Sequence, residues 1–146
     1  VRYNAAHRRA EDEVFRLQHA AERPAIIAYT ALRWGTLLDP RYAPPGQKPL
    51  TATEAYRFVL SAAEVDLCLA GPRDETELDA ALQALERGPL DEEGLRRARL
   101  IGDAAHAFGR AQPPPRLRDV LRETPSLLKS LWREGVTENL LSRFNR

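Results

Sequence analysis

The chain has 146 residues, enough for one domain, and a hydrophobic content of 43% can build a core, which excludes wholesale disorder. A balance of 22 basic against 21 acidic side chains gives a net charge of +1, with no electrostatic case for nucleic acid or an anionic membrane. The single cysteine, Cys68, excludes an internal disulfide and fits a reducing, cytoplasmic compartment.

No run approaches the roughly 18 apolar residues of a membrane span, and the start carries no basic-then-apolar leader. The chain opens at Val1 and contains no methionine, so either the start was removed or this is a segment of something longer. Lys48 and Lys129 are the lysines; the other basic residues are arginines, and their even spread reads as compositional bias.

Val1 to Asn4 reads as a strand end. A helix is expected over 9–22, with Ala10, Val14, Leu17 and Ala21 on one face and Pro24 at its end. Ala25 to Thr30 is a short apolar run without alternation, which suits a strand buried on both faces. Asp39 to Pro49 is a Pro-rich loop. Thr51 and Glu54 form the T-x-x-E of a capping box, and the helix they open buries Ala55, Phe58, Val59 and Ala62. Val65 to Ala70 reads as a second buried strand, closed by Gly71-Pro72. A helix from about Thr76 carries Leu78, Ala81, Leu82 and Leu85 on one face, and Gly88-Pro89 breaks it. Another runs from Asp91 to about Ala105 through Leu95, Ala98 and Ile101. Strands alternating with helices predict an α/β fold with a parallel sheet. The organisation read from the sequence is a unit over 1–110, a Pro-rich linker over 111–116 and a helical tail over 117–146, with two short amphipathic helices.

Three stretches resemble the aldo-keto reductases, in order and at the right spacing over residues 1–106. Ala28-Tyr29-Thr30-Ala31-Leu32, followed by Gly35, resembles strand seven and its loop. Val1-Arg2-Tyr3-Asn4 resembles the end of strand six, with Arg8 in the loop beyond. Val65 to Leu85 resembles strand eight and its helix. The resemblance implies the C-terminal part of a (β/α)8 TIM barrel, incomplete in this chain and followed by C-terminal helices. It implies NADP(H) or NAD(H) as cofactor and reduction of aldehydes or ketones. Barrel active sites lie at the C-terminal strand ends. Tyr29 would stack on the nicotinamide; Thr30, Leu32 and Trp34 would line the pyrophosphate path. Gly71, Pro72 and Arg73 would hold the adenosine phosphate, with Glu77 nearby at the adenosine end.

The chain departs from the family at Glu77, where Arg or Gln is common, and at Ala81, where an Asn usually reaches the adenine. An acidic residue at 77 repels a 2′-phosphate. The family's catalytic Asp, Tyr, Lys and His come from strands with no counterpart here, so no catalytic residue is assigned and the chain alone is expected to be inactive. Partners expected are the cofactor and either the missing N-terminal half of the barrel or a second copy, because an open parallel edge favours association. The alternative is a non-enzymatic helical interaction module derived from a truncated reductase.

Simpler readings stand beside these. Tyr29 reads also as an aromatic at a strand end, Trp34 as packing under the Pro-rich loop, and Arg73 as a solvated turn residue. Cys68 reads as a small apolar side chain in a strand. His7, His19 and His106 have no metal-ligand spacing, and no metal is expected. Glu11-Asp12-Glu13 and Asp91-Glu92-Glu93 sit in first helical turns, where the macrodipole favours acids without any catalytic role.

Overall fold

Capping signals set the helices. Thr51 accepts from the Glu54 amide at 3.1 Å while the Glu54 carboxylate accepts from the Thr51 amide at 2.7 Å, so the predicted capping box opens α2 (Ala52–Leu60). Asp74 caps α3 (Glu75–Arg87) by accepting from the Glu77 amide at 2.9 Å. Asp91 accepts from the Gly94 amide at 2.7 Å at the start of α4 (Glu92–Ala111). The computed structural model describes residues 1–17 and 23–111, which belong to one compact unit, Val1–Ala111; a second unit is Gln112–Arg146. The tail helices, residues 112–116 of the expected linker, His19 and positions 18–22 of the first helix lie outside the described residues. Ala111, assigned to the linker from sequence, is the last residue of α4.

The first helix is shorter than its periodicity suggests. α1 covers Arg9–Glu13 and gives way to a 3-10 turn at Phe15–Leu17. The tighter turn brings Phe15 inward, where its ring meets Tyr3 edge-on at 5.0 Å, while Val14 is only half-buried. The loop after Asp39 contains a further 3-10 turn, Pro40–Tyr42, capped by Asp39.

Two short strands, β1 (Ile27–Ala28) and β2 (Leu67–Cys68), pair in parallel, with Ile27 opposite Leu67 and Ala28 opposite Cys68. Arg2 forms an isolated parallel bridge with Tyr29, which places the Val1–Asn4 segment along the other side of β1. The Tyr29 amide donates to Val1 O at 3.0 Å. Asp66 fixes the strand starts: its carboxylate accepts from the Ile26 amide at 2.7 Å and from both Arg23 Nη atoms at 2.6 and 2.8 Å. That pairing, with the amide behind it, holds the Asp66 carboxyl below its ordinary range.

The strands are not buried on both faces. Ile26 and Ala28 point into the core, whereas Ile27 and Leu67 are each 46% exposed and Leu69 more so. Alternation, hidden in a largely apolar run, thus reappears in the burial of β1, because one face packs on helices and, among the described residues, no layer lies over the other. The same holds for α3. Its leucine stripe, Leu78, Leu82 and Leu85, faces outward, and Ala84 is the buried contact. The core lies on the helical side of the sheet, around Tyr3, Phe15, Leu37, Phe58, Val59, Ala98, Ile101 and Ala105.

Arginines tie the helices together. Arg97 donates to Glu54 at 2.7 Å and to the Lys48 and Pro49 carbonyls at 3.0 Å, fastening α4 to the start of α2. Arg57 donates to Gly88 O and Pro89 O at 2.7 Å each, closing the α3–α4 turn. Gly102 allows α4 to touch the Ala5-Ala6 backbone; a Cβ there would stand 2.1 Å from Ala5 O. No helix among the described residues is long and apolar enough to cross a membrane.

Candidate functional site

Parallel pairing brings the C-terminal ends of all three extended segments to one side of the unit. Tyr29 follows β1 directly, and Arg2, its bridge partner, shares its face. Tyr29 is 45% exposed and Trp34 76%, so both rings stand open beside the exposed apolar row of Ile27, Leu67 and Leu69. The Arg2 guanidinium lies over the Trp34 ring, 4.9 Å from its centroid.

Thr30 to Gly35 forms an unusual turn. Thr30, Arg33 and Trp34 have φ of 63°, 50° and 53°, and Gly35 follows at 82°. Three non-glycine residues in the left-handed region within five positions is strain that the surroundings must hold in place. Asn4 holds it. Fully buried, its Nδ2 donates to Thr30 O at 2.9 Å, and its Oδ1 accepts from the Ala6 and His7 amides at 3.0 Å. The turn then closes on Arg33 N to Thr30 O at 2.9 Å. Neither Asn4 nor the strained turn was apparent in the sequence, which carries no Asn or Gly at the positions concerned. Thr30 and Leu32 lie in this turn as half-buried residues.

Gly71, Pro72 and Arg73 are exposed at the start of α3. Here the arrangement departs from a phosphate cradle. Arg73 Nε donates to Glu77 at 2.9 Å and the Arg73 amide does so at the same distance, while the Asp74 carboxylate occupies the helix start. The guanidinium beside Glu77, then the Arg73 amide, keep that carboxyl below its ordinary range. Two carboxylates thus take the donors that the sequence assigned to an adenosine phosphate. Ala81, where the family's Asn would reach an adenine, is half-buried on α3.

The remaining candidates have structural explanations. Glu11 accepts from the Tyr3 hydroxyl at 2.8 Å and pairs with Arg99 at 2.9 Å; Glu13 pairs with Arg9 and Asp12 with Arg16. Burial pushes the Cys68 thiol up to about 11, away from a reactive thiolate. His7 and His106, far apart in sequence, bring their rings to 5.4 Å edge-on, but no group of three metal-ligating side chains occurs among the described residues. A cavity of about 400 Å³ lined by Tyr3, Glu11, Phe15, Phe58, Leu95 and Arg99 lies on the helical side and includes none of the cofactor candidates.

Searches against protein-family models, curated proteins and solved structures found no match.

Proposed function

We propose that this chain supplies the strand-six-to-eight portion of an aldo-keto reductase barrel, contributing to a nicotinamide-cofactor site for reduction of aldehydes or ketones. The observation that carries this reading is the open, one-sided parallel array: three extended segments in chain order, helices on one face, and an uncovered apolar row of Ile27, Leu67 and Leu69 on the other. An inward face of a barrel has that character when its remaining strands are supplied by another polypeptide segment. The outward leucines of α3 suit a neighbouring helix in the same ring.

The cofactor supplies hydride to the carbonyl carbon when bound. Tyr29, exposed at its strand end, offers a flat ring to the nicotinamide and so selects the face that delivers hydride. Arg2 beside it adds positive charge. The adenosine end fits less well, because Glu77 and Asp74 engage its donors, and a cofactor lacking the 2′-phosphate suits this arrangement better. No side chain of this chain occupies the proton donor's place in the family, so the proton comes from a tyrosine on the remainder of the barrel.

The test is a titration of the purified chain with reduced nicotinamide dinucleotide, with and without the 2′-phosphate, followed by tryptophan fluorescence. Saturable binding lost in Tyr29→Ala supports the cofactor site. A folded chain that binds neither dinucleotide, and neither more nor less after Tyr29→Ala, overturns it in favour of an interaction module that uses the same apolar face for a protein partner.

A further inference from the structure

Most arginines of the described residues have carboxylate or carbonyl partners; Arg2, Arg33 and the exposed Arg96 do not, and of these Arg33 is the one drawn inward. Arg33 Nη1 is buried without a hydrogen-bond partner. A guanidinium N–H left so is rare, because removing it from water without a substitute acceptor is unfavourable. The strained turn is what carries Arg33 to this position, and Asn4 locks that turn to the loop bearing His7.

Three cationic or protonatable side chains therefore converge from two loops. Arg2 and Arg33 repel each other, and both act on His7. None of the groups acting most strongly on His7 or Arg33 is a carboxylate. The acid that pairs with Arg8, the chain neighbour of His7, is already engaged, Asp103 at 2.6 Å, as is Asp39 with Arg41 at 2.6 Å. Arg2 is held in place by its stacking on Trp34. A fold that holds like charges together, with one buried donor unmet, is arranged for an anion.

We infer that Arg2, His7 and Arg33 form an oxyanion site that takes a phosphate group. Two guanidiniums from separate residues, joined by the His7 imidazole, whose Nδ1 is taken by the Ala6 carbonyl and whose second N–H forms when the anion draws a proton onto the ring, match a tetrahedral oxyanion, whereas a carboxylate is satisfied by one guanidinium fork. The exposed Trp34 ring beside the site gives the organic part of a phosphate ester a stacking surface. The phosphate comes from a dinucleotide diphosphate or from a free phosphate ester; the site itself stands without the nicotinamide reading.

Calorimetric titration of the purified chain with inorganic phosphate at low ionic strength tests this, with acetate as the carboxylate control. Saturable phosphate binding, weakened at least about tenfold in both Arg2→Gln and Arg33→Gln and unchanged in Arg87→Gln, is the expected result. Arg2 is exposed, so Arg2→Gln leaves folding intact and keeps the test valid even if Arg33→Gln disturbs the turn. Phosphate and a reduced dinucleotide competing for the chain identifies the diphosphate as the source. Phosphate binding undisturbed by the dinucleotide identifies a separate ester; phosphate binding with no dinucleotide binding keeps this site and removes the nicotinamide reading. Absence of saturable phosphate binding, acetate binding as tightly, or equal phosphate binding in Arg2→Gln and the parent chain overturns the inference.

Discussion

The Asn4 side-chain amide donates to the Thr30 carbonyl at 2.9 Å, and this bond joins the loop after the first extended segment to the strained turn after β1. Both loops bear candidate site residues, so one buried side chain sets their relative position. Asn4→Ala leaves the Thr30 carbonyl and the Ala6 amide without this partner. The expected loss is about 2–3 kcal/mol, read as a lowered midpoint in urea unfolding. An unchanged midpoint removes Asn4 from its organising role.

Gly102→Ala tests the close approach of α4. A methyl group placed 2.1 Å from Ala5 O forces the helix and the Ala5-Ala6 backbone apart, although alanine is the better helix former. Destabilisation of about 2 kcal/mol or more is expected in thermal or urea unfolding. Stabilisation instead shows that the contact is loose.

The His7 ring titrates below its ordinary value near 6.5, through burial first and then the charges of Arg2 and Arg33, partly opposed by the Ala6 carbonyl; His106 adds a smaller effect in the lowering direction. Its folded value is therefore depressed relative to the unfolded chain. In the window between the two values the unfolded chain binds more protons, so stability is full above about pH 6.5 and declines as pH falls through that window. In His7→Gln this part of the slope disappears; an identical slope in the variant assigns it to other groups.

Leu67→Lys with Leu69→Lys places charge on the uncovered sheet face. Sedimentation at increasing concentration is expected to show less self-association than the parent, with unfolding free energy within about 0.5 kcal/mol. Marked destabilisation means that a layer covers these residues.

Glu77→Gln releases Arg73 from its ion pair. Affinity for the 2′-phosphorylated dinucleotide is expected to rise about fivefold relative to the unphosphorylated form, which corresponds to about 1 kcal/mol. Equal gains for both cofactors place Arg73 away from the 2′ position.

Local signals were legible in the sequence. Thr51 and Glu54 announced the capping box, and Ala98, Ile101 and Ala105 are buried along α4 as that helix's apolar spacing suggests. What local pattern does not carry is the second partner. The α3 leucines mark an apolar face correctly, but periodicity is silent on whether anything covers it, and here Leu85 is 66% exposed. The strand runs misled for the same reason: Ala25 to Ala28 has no polar residue to disclose which side faces out. The candidate site was legible at Tyr29 and Trp34, whose positions after a strand stand out. Arg33 and His7 were not, because their meeting depends on left-handed backbone at residues with no preference for it and on a buried Asn4 four positions into the chain.

The packing of the opening residues against α4 also orders events during synthesis. Arg8 meets Asp103 and Glu11 meets Arg99 across 95 and 88 residues of chain. Tyr3 and Phe15 thus emerge from the ribosome with α4 still untranslated. Until α4 has cleared the exit tunnel, Tyr3 has the Phe15 and Phe58 rings against it, while Arg8 and Glu11 still lack their α4 partners. Docking is then a late, long-range closure, slower than the local formation of α2 and α3.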